Sequence, residues 1–117
     1  MTAEEIMLRA IELAKQAALI DEVPVGAVVV RGGEIMGEGY NRRETGKNAL
    51  AHAELEAISA ACEKLGRWRL SDCEIYVTLE PCPMCTGAII NSRLKKVTFG
   101  AYDLKSGSMG SVINLCD

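Results

Sequence analysis

The chain is poor in aromatic residues and in histidine. It has one Phe, one Trp, three Tyr and a single His, and only three prolines interrupt it. No stretch approaches the roughly 20 unbroken apolar residues of a membrane span. Charges at Glu4, Glu5, Arg9 and Glu12 break up the apolar core that a signal peptide needs. These two absences point to the cytoplasm and to no membrane partner. A strong excess of either charge is also missing. The net charge of −3 neither advertises a nucleic-acid surface nor excludes a local one. The five cysteines are an odd number in a chain without a secretory leader, which argues against a disulfide framework.

What is present suffices for one compact core. Of 117 residues, 49% are hydrophobic, and a chain of this length buries about two-thirds of its unfolded surface. We expect residues 1–117 to form a single domain. Basic residues gather at Arg42, Arg43 and Lys47, and again at Arg93, Lys95 and Lys96, where phosphates could be met.

Local patterns divide the chain into seven elements. Thr2 with Glu5 reads as a capping box. Ile6, Ala10, Leu13 and Ala17 recur at helical spacing, so a helix is expected over residues 3–18, with Pro24 ending any continuation. The β-branched run 25–30 reads as a buried strand. Gly32-Gly33 signals a tight hairpin into a second strand, 34–40. Residues 41–48 are polar and basic, a loop. A second helix over 51–65 precedes Gly66, suited to its C-terminal cap. A third strand, 74–79, leads to a third helix over 81–92 with proline in its first turn. A fourth strand spans 96–100, and Gly107 and Gly110 suggest a flexible tail. The order α-β-β-α-β-α-β predicts an α/β protein with a mixed central sheet flanked by helices. Ligands on such sheets favour helix N-termini and strand C-terminal ends.

Two motifs carry chemistry. Ala51-His52-Ala53-Glu54 opens the second helix, and Glu80-Pro81-Cys82-Pro83-Met84-Cys85 opens the third. Cys82 and Cys85 are spaced to share a helical face, so their sulfurs can meet one ion. With His52 as third ligand, one tetrahedral position stays open, the mark of a catalytic zinc site. Two thiolates and a neutral imidazole balance the dication, and helix N-termini favour thiolate. Glu54 is a poor co-ligand, two residues past His52, but its place fits a general acid/base beside the metal. Alone, a C-x-x-C pair would equally suit a redox dithiol or a structural zinc site, and a lone histidine early in a helix is commonly structural. The combination H-x-E with P-C-x-x-C is the signature of zinc deaminases. Cys62, Cys73 and Cys116 lack such context and read as small buried apolar residues.

The sequence resembles the bacterial tRNA-specific adenosine deaminases of the cytidine deaminase-like superfamily. Beyond the two motifs, the resemblance rests on Glu22-Val23-Pro24-Val25-Gly26-Ala27, Gly39-Tyr40-Asn41, Trp68-Arg69-Leu70, Tyr76-Val77-Thr78-Leu79 and Phe99-Gly100-Ala101-Tyr102-Asp103-Leu104-Lys105. It implies the three-layer cytidine deaminase-like fold, one Zn²⁺ per chain and a homodimer. The substrate it implies is adenosine at the wobble position of a tRNA anticodon loop, the product inosine. Attack falls on C6 of the adenine, Glu54 carries the protons, and the Cys82 amide helps orient the attacking oxygen. Asn41 and Ala53 correspond to positions at the target base, and Asp103 to a loop residue near the ribose or RNA backbone. Asn41 could equally be a turn residue and Asp103 a solvated loop charge.

Members of this family add a fifth strand and a C-terminal helix with basic and aromatic residues, where this sequence ends at Asp117. Expected consequences are weaker RNA binding and thinner cover over Val97 and Phe99. Two alternatives therefore stand beside the leading reading: a deaminase of a free nucleobase or nucleoside, and a truncated, inactive zinc-binding domain.

Overall fold

The computed structural model describes residues 1–115. Its elements are α1 (Ala3–Leu19), β1 (Gly26–Arg31), β2 (Glu34–Tyr40), α2 (Ala53–Leu65), β3 (Glu74–Val77), α3 (Pro83–Asn91) and β4 (Lys96–Phe99). They follow the expected order. The four strands form one sheet, β2-β1-β3-β4, with β1 antiparallel to both neighbours and β4 parallel to β3. The sheet is thus mixed, and β2 and β4 are its edges. Among the described residues no helix is long and apolar enough to cross a membrane.

Side-chain alternation along β1 builds the three layers. Val28 and Val30 face α1, packing with Ile6, Ala10, Leu13 and Tyr76. Ala27 and Val29 face the other way, joining Ala53, Ala57, Ile58 and Ala61 of α2 and Ile89 of α3. A strand covered on both faces must be apolar on both, which is why β1 reads as a continuous hydrophobic run. On β2, Gly37 and Gly39 let α2 lie directly on the sheet. A Cβ at Gly39 would collide with the Ala53 carbonyl, and one at Gly37 with that of Ala57.

Local chemistry sets most element ends. Thr2 and Glu5 form the reciprocal capping box. Gly32 and Gly33 both have positive φ, 57° and 79°, as a two-residue hairpin turn requires. Pro83 stands in the first turn of α3. Several expected boundaries need correction. The first helix runs one residue past its expected end, to Leu19, where the chain turns at Ile20 and Asp21 takes a left-handed φ of 60°. The second helix begins at Ala53 rather than 51, since His52 is still extended and serves as its N-cap position. The third begins at Pro83, with Cys82 as N-cap. The third and fourth strands end at Val77 and Phe99, where the chain turns toward the site. Cys73 is buried as expected, Cys62 is only partly so, and Cys116 lies outside the described residues. Val97 and Phe99 are half-buried against the core, Phe99 meeting Tyr102 edge-on at 5.3 Å.

The expected flexible tail is an ordered turn system. Gly107 N donates to Asp103 O, Val112 N to Gly107 O, and Met109 forms a bridge with Asn114. It is ordered because it wraps a buried carboxylate, described below.

Strand pairing decides where loops meet. Gly26 at the start of β1 lies opposite Tyr40 at the end of β2, Ala27 opposite Val77, and Val77 beside Phe99. The segments before β1 and after β2, β3 and β4 therefore converge at one end of the sheet.

Candidate metal centre and pocket

At that end lies a cavity of about 360 Å³, lined by residues from all four segments, among them Glu22, Asn41, His52, Glu54, Cys82 and Asp103. A larger, shallower groove of about 750 Å³ runs along α2 and α3 past Leu50 and Trp68, but it contains none of the His52, Cys82 and Cys85 set. Size alone does not locate the chemistry.

The ligand atoms of His52, Cys82 and Cys85 lie within 4.8 Å of one another, the one such group among the described residues. His52 Nδ1 is 3.7 Å from Cys82 Sγ and 3.5 Å from Cys85 Sγ. Tetrahedral zinc, with bonds of about 2.3 Å to sulfur and about 2.0–2.1 Å to nitrogen, holds S and N about 3.6 Å apart. The three donors thus fit a zinc ion in both chemistry and spacing. His52 and Cys82 are both N-cap residues with extended backbones, and neither side chain caps its own helix. Both are free to face the ion, and two helix N-termini point at the same spot.

Glu54 lies beside this cluster and is 4% exposed. Burial, reinforced by the charge of Cys82, pushes its carboxyl up to about 7 against a hydrogen bond with Cys85 that opposes the shift. A carboxyl titrating near neutrality can both take and return a proton. A hydrogen bond from Cys85, helped by His52 and backbone donors, holds Cys82 down at about 5 despite burial, and the same bond pushes Cys85 up.

The other sequence-level candidates also come to this end of the sheet. Asn41 lines the cavity, but its Oδ1 accepts the Ala53 amide at 2.9 Å. Ala53 itself is fully buried, its amide engaged in that bond. Asp103 also lines the cavity. Its carboxylate accepts bonds from Lys105 N, Ser106 N and Ser106 Oγ, which hold it below the usual carboxylate range.

Two lining residues were not singled out by the sequence reading. Glu22 Oε1 accepts from Glu44 N at 3.2 Å and its Oε2 from Thr45 N at 2.6 Å. Glu80 accepts from Asp103 N, Met109 N, Ser111 N and Ser111 Oγ. Burial pushes Glu80 up, and these donors outweigh it, so its carboxyl stays below the usual range. Both residues stand in motifs the sequence displays, but their partners lie more than 20 residues away, where no local pattern reaches.

Comparison with known proteins agrees with this geometry. The profile of the MafB19-like deaminase family matches residues 1–115. The tRNA-specific adenosine deaminase of Bacillus subtilis is 51% identical over 116 residues, covering 98% of this chain and 72% of that protein. A solved structure from work on A-to-I editing by tRNA:A34 deaminases superposes with a TM-score of 0.90 at 42% identity, covering 92% of this chain and 83% of the other. A guanine deaminase from Bacillus subtilis superposes with a TM-score of 0.84 at 34% identity, covering 100% of this chain and 85% of the other. The chain belongs to the MafB19-like deaminases and, within the cytidine deaminase-like fold, to the tRNA-specific adenosine deaminases.

Proposed function

We propose that this protein hydrolyses adenosine to inosine at the wobble position of a tRNA anticodon, with zinc held by His52, Cys82 and Cys85. The observation that carries the chemistry is the set of three donors at zinc-ligand spacing beside the buried Glu54. The observation that favours this substrate over a free base is the 51% identity to a tRNA-specific adenosine deaminase, against 34% to a guanine deaminase.

Zinc in this site supplies an activated water at neutral pH. The chain's own residues do the rest. Glu54 takes one proton from the attacking water and hands it to the adenine ring nitrogen, then moves the second, from the oxygen newly bonded to C6, to the amino group, which leaves as ammonia when the C6–N6 bond breaks. Its pKa, raised to about 7, suits both directions. The cavity admits one base, so the adenosine must leave the anticodon stack to enter it. An unpaired loop base makes that step cheap. Asn41 borders the base and Asp103 the ribose side, both lining the cavity, while Ala53, fully buried and outside the lining, acts only through its bond to Asn41. Asn41 has an amide group to offer beyond the oxygen it gives to Ala53. Residues 1–117 act as one domain. The enzyme works in the cytoplasm as a homodimer, a reading to which exposed Leu50, Trp68 and Ile90 lend an apolar surface.

Incubating the zinc-loaded protein with an anticodon stem-loop, free adenosine, cytosine and guanine tests this. Inosine in the stem-loop at a rate well above any free compound is expected. Faster release of ammonia from guanine or cytosine would transfer the assignment to a free-base deaminase.

A further inference from the structure

We propose that Glu80 is a positioning residue that fixes the pocket wall carrying Asp103 at a set distance from the metal-binding turn. The proposal deepens the deaminase reading above and rests on it for the substrate.

Glu80 is 2% exposed, and one small region of the chain surrounds its carboxylate. Oε1 accepts from Asp103 N at 3.1 Å and from the Ser111 hydroxyl. Oε2 accepts from Met109 N at 2.8 Å and Ser111 N at 3.1 Å. The backbone reinforces the contact: Glu80 N donates to Ala101 O at 2.8 Å, and Ser108 N donates to Pro81 O at 2.9 Å. Gly107 leaves room for it, because a Cβ there would sit 2.5 Å from both the Glu80 Cδ and the Asp103 carbonyl. Segment 101–111 therefore winds around a single carboxylate, and its hydrogen bonds to the body of the domain converge on Glu80 and Pro81.

The placement gives this knot a purpose beyond stability. Pro81 directly precedes Cys82, and Glu80 lines the cavity with Cys82, Asp103 and Ser106. The turn that presents a metal ligand is thus the turn that holds the wall carrying Asp103. A carboxylate offers acceptors at both oxygens. A glutamine offers one acceptor and an NH₂ group, which would confront N–H donors with another donor. No uncharged side chain of that length satisfies all four contacts. The geometry of the wall thereby depends on residue 80 being an acceptor at both ends, and the donors to its carboxylate are Asp103, Met109 and Ser111 rather than a zinc ligand or Glu54.

The test compares wild type, Glu80→Gln and Gly107→Ala as zinc-loaded full chains. Glu80→Gln attacks the clamp from the turn, and Gly107→Ala displaces it from the wall without altering the carboxylate. Three quantities are read: zinc content, hydrogen-exchange protection of the Met109 and Ser111 amides, and steady-state kinetics on an anticodon stem-loop. Both variants are expected to retain zinc. They should lose about tenfold or more in amide protection across 103–111, and raise KM about tenfold while kcat changes far less. Rises in KM without loss of protection, or equal falls in kcat at unchanged KM, would overturn the proposal, as would loss of zinc from both variants. If Glu80→Gln does not fold, Gly107→Ala decides the matter alone. If wild type fails to deaminate the stem-loop, the substrate reading falls, while the exchange data still decide whether Glu80 holds the wall.

Discussion

Asn41 Oδ1 accepts the amide of Ala53, the first residue of α2, at 2.9 Å. This bond supplies from a neighbouring loop the cap that His52, at the N-cap position, does not make with its own side chain. The imidazole is thereby released toward Cys82 and Cys85. One residue thus links three things: the end of β2, the start of α2 and the aim of a metal ligand.

The two halves of Asn41 can be separated by mutation. Asn41→Ala removes the acceptor and should cost about 0.5–2 kcal/mol, the usual range for a lost helix cap. Asn41→Asp keeps an acceptor at the helix N-terminus and should hold its thermal midpoint near wild type. It lacks the amide donor proposed to meet the base, so its turnover should fall all the same. Thermal denaturation and single-turnover deamination on a stem-loop measure the two effects. Full activity in Asn41→Asp would reduce Asn41 to a cap alone.

The donor set makes a prediction about metal content. Cys82 reaches the site from an N-cap position, and no other thiol among the described residues stands near enough to replace it. Cys82→Ala should leave the purified protein with little zinc by elemental analysis, against about one ion per chain in wild type. A full complement in the variant would show that the ligand set is wrongly assigned.

Glu54 is predicted to be dispensable for the metal and needed for turnover. Glu54→Gln keeps the shape of a side chain that is almost wholly buried, so zinc and fold should survive. Turnover should drop by about 10²–10⁴-fold, the range for a general acid/base, or by more since one group serves two transfers. A variant within a few-fold of wild type would remove Glu54 from the mechanism.

Glu22 carries a pH dependence of known sign. Hydrogen bonds from Thr45 and Glu44, opposed by burial and aided by the charge of Arg43, hold its carboxyl below the usual range. A depressed folded-state pKa adds stability above the unfolded value of about 4.3, and that stability is lost as pH falls through the lower folded value. The loop over 41–50 should therefore stay clamped through neutral and mildly acid pH and loosen only below the ordinary glutamate value. Besides Arg43, Asp21 and Glu44 are the charged neighbours in sequence or contact, and neither reverses the sign. The Thr45 amide proton, followed by NMR against pH, reports the clamp directly. A midpoint at or above the ordinary glutamate value would contradict it.

Much of the architecture is written in near-neighbour chemistry. Thr2 and Glu5 complete their capping box within four residues. Gly32 and Gly33 turn the hairpin, and the alternation through Val28, Val29 and Val30 marks a strand covered on both faces. His52, Glu54, Cys82 and Cys85 also announce themselves, because zinc chemistry restricts residue type and spacing so severely.

What the sequence alone misplaces is what distant partners decide. The second helix starts two residues later than its composition suggests, since Asn41 provides the cap that permits an extended His52. The glycines near the C-terminal end suggest flexibility, yet 103–111 is ordered by Glu80, a partner 23 to 31 residues away. Residue types and short periods are set by interactions within a turn of chain, so a sequence displays them. The meeting of His52 with Cys82, 30 residues apart, and of either with the walls held by Glu22 and Glu80, depends on which strands pair and in what register. That choice is made by burial of the whole core, and only the folded chain reveals it.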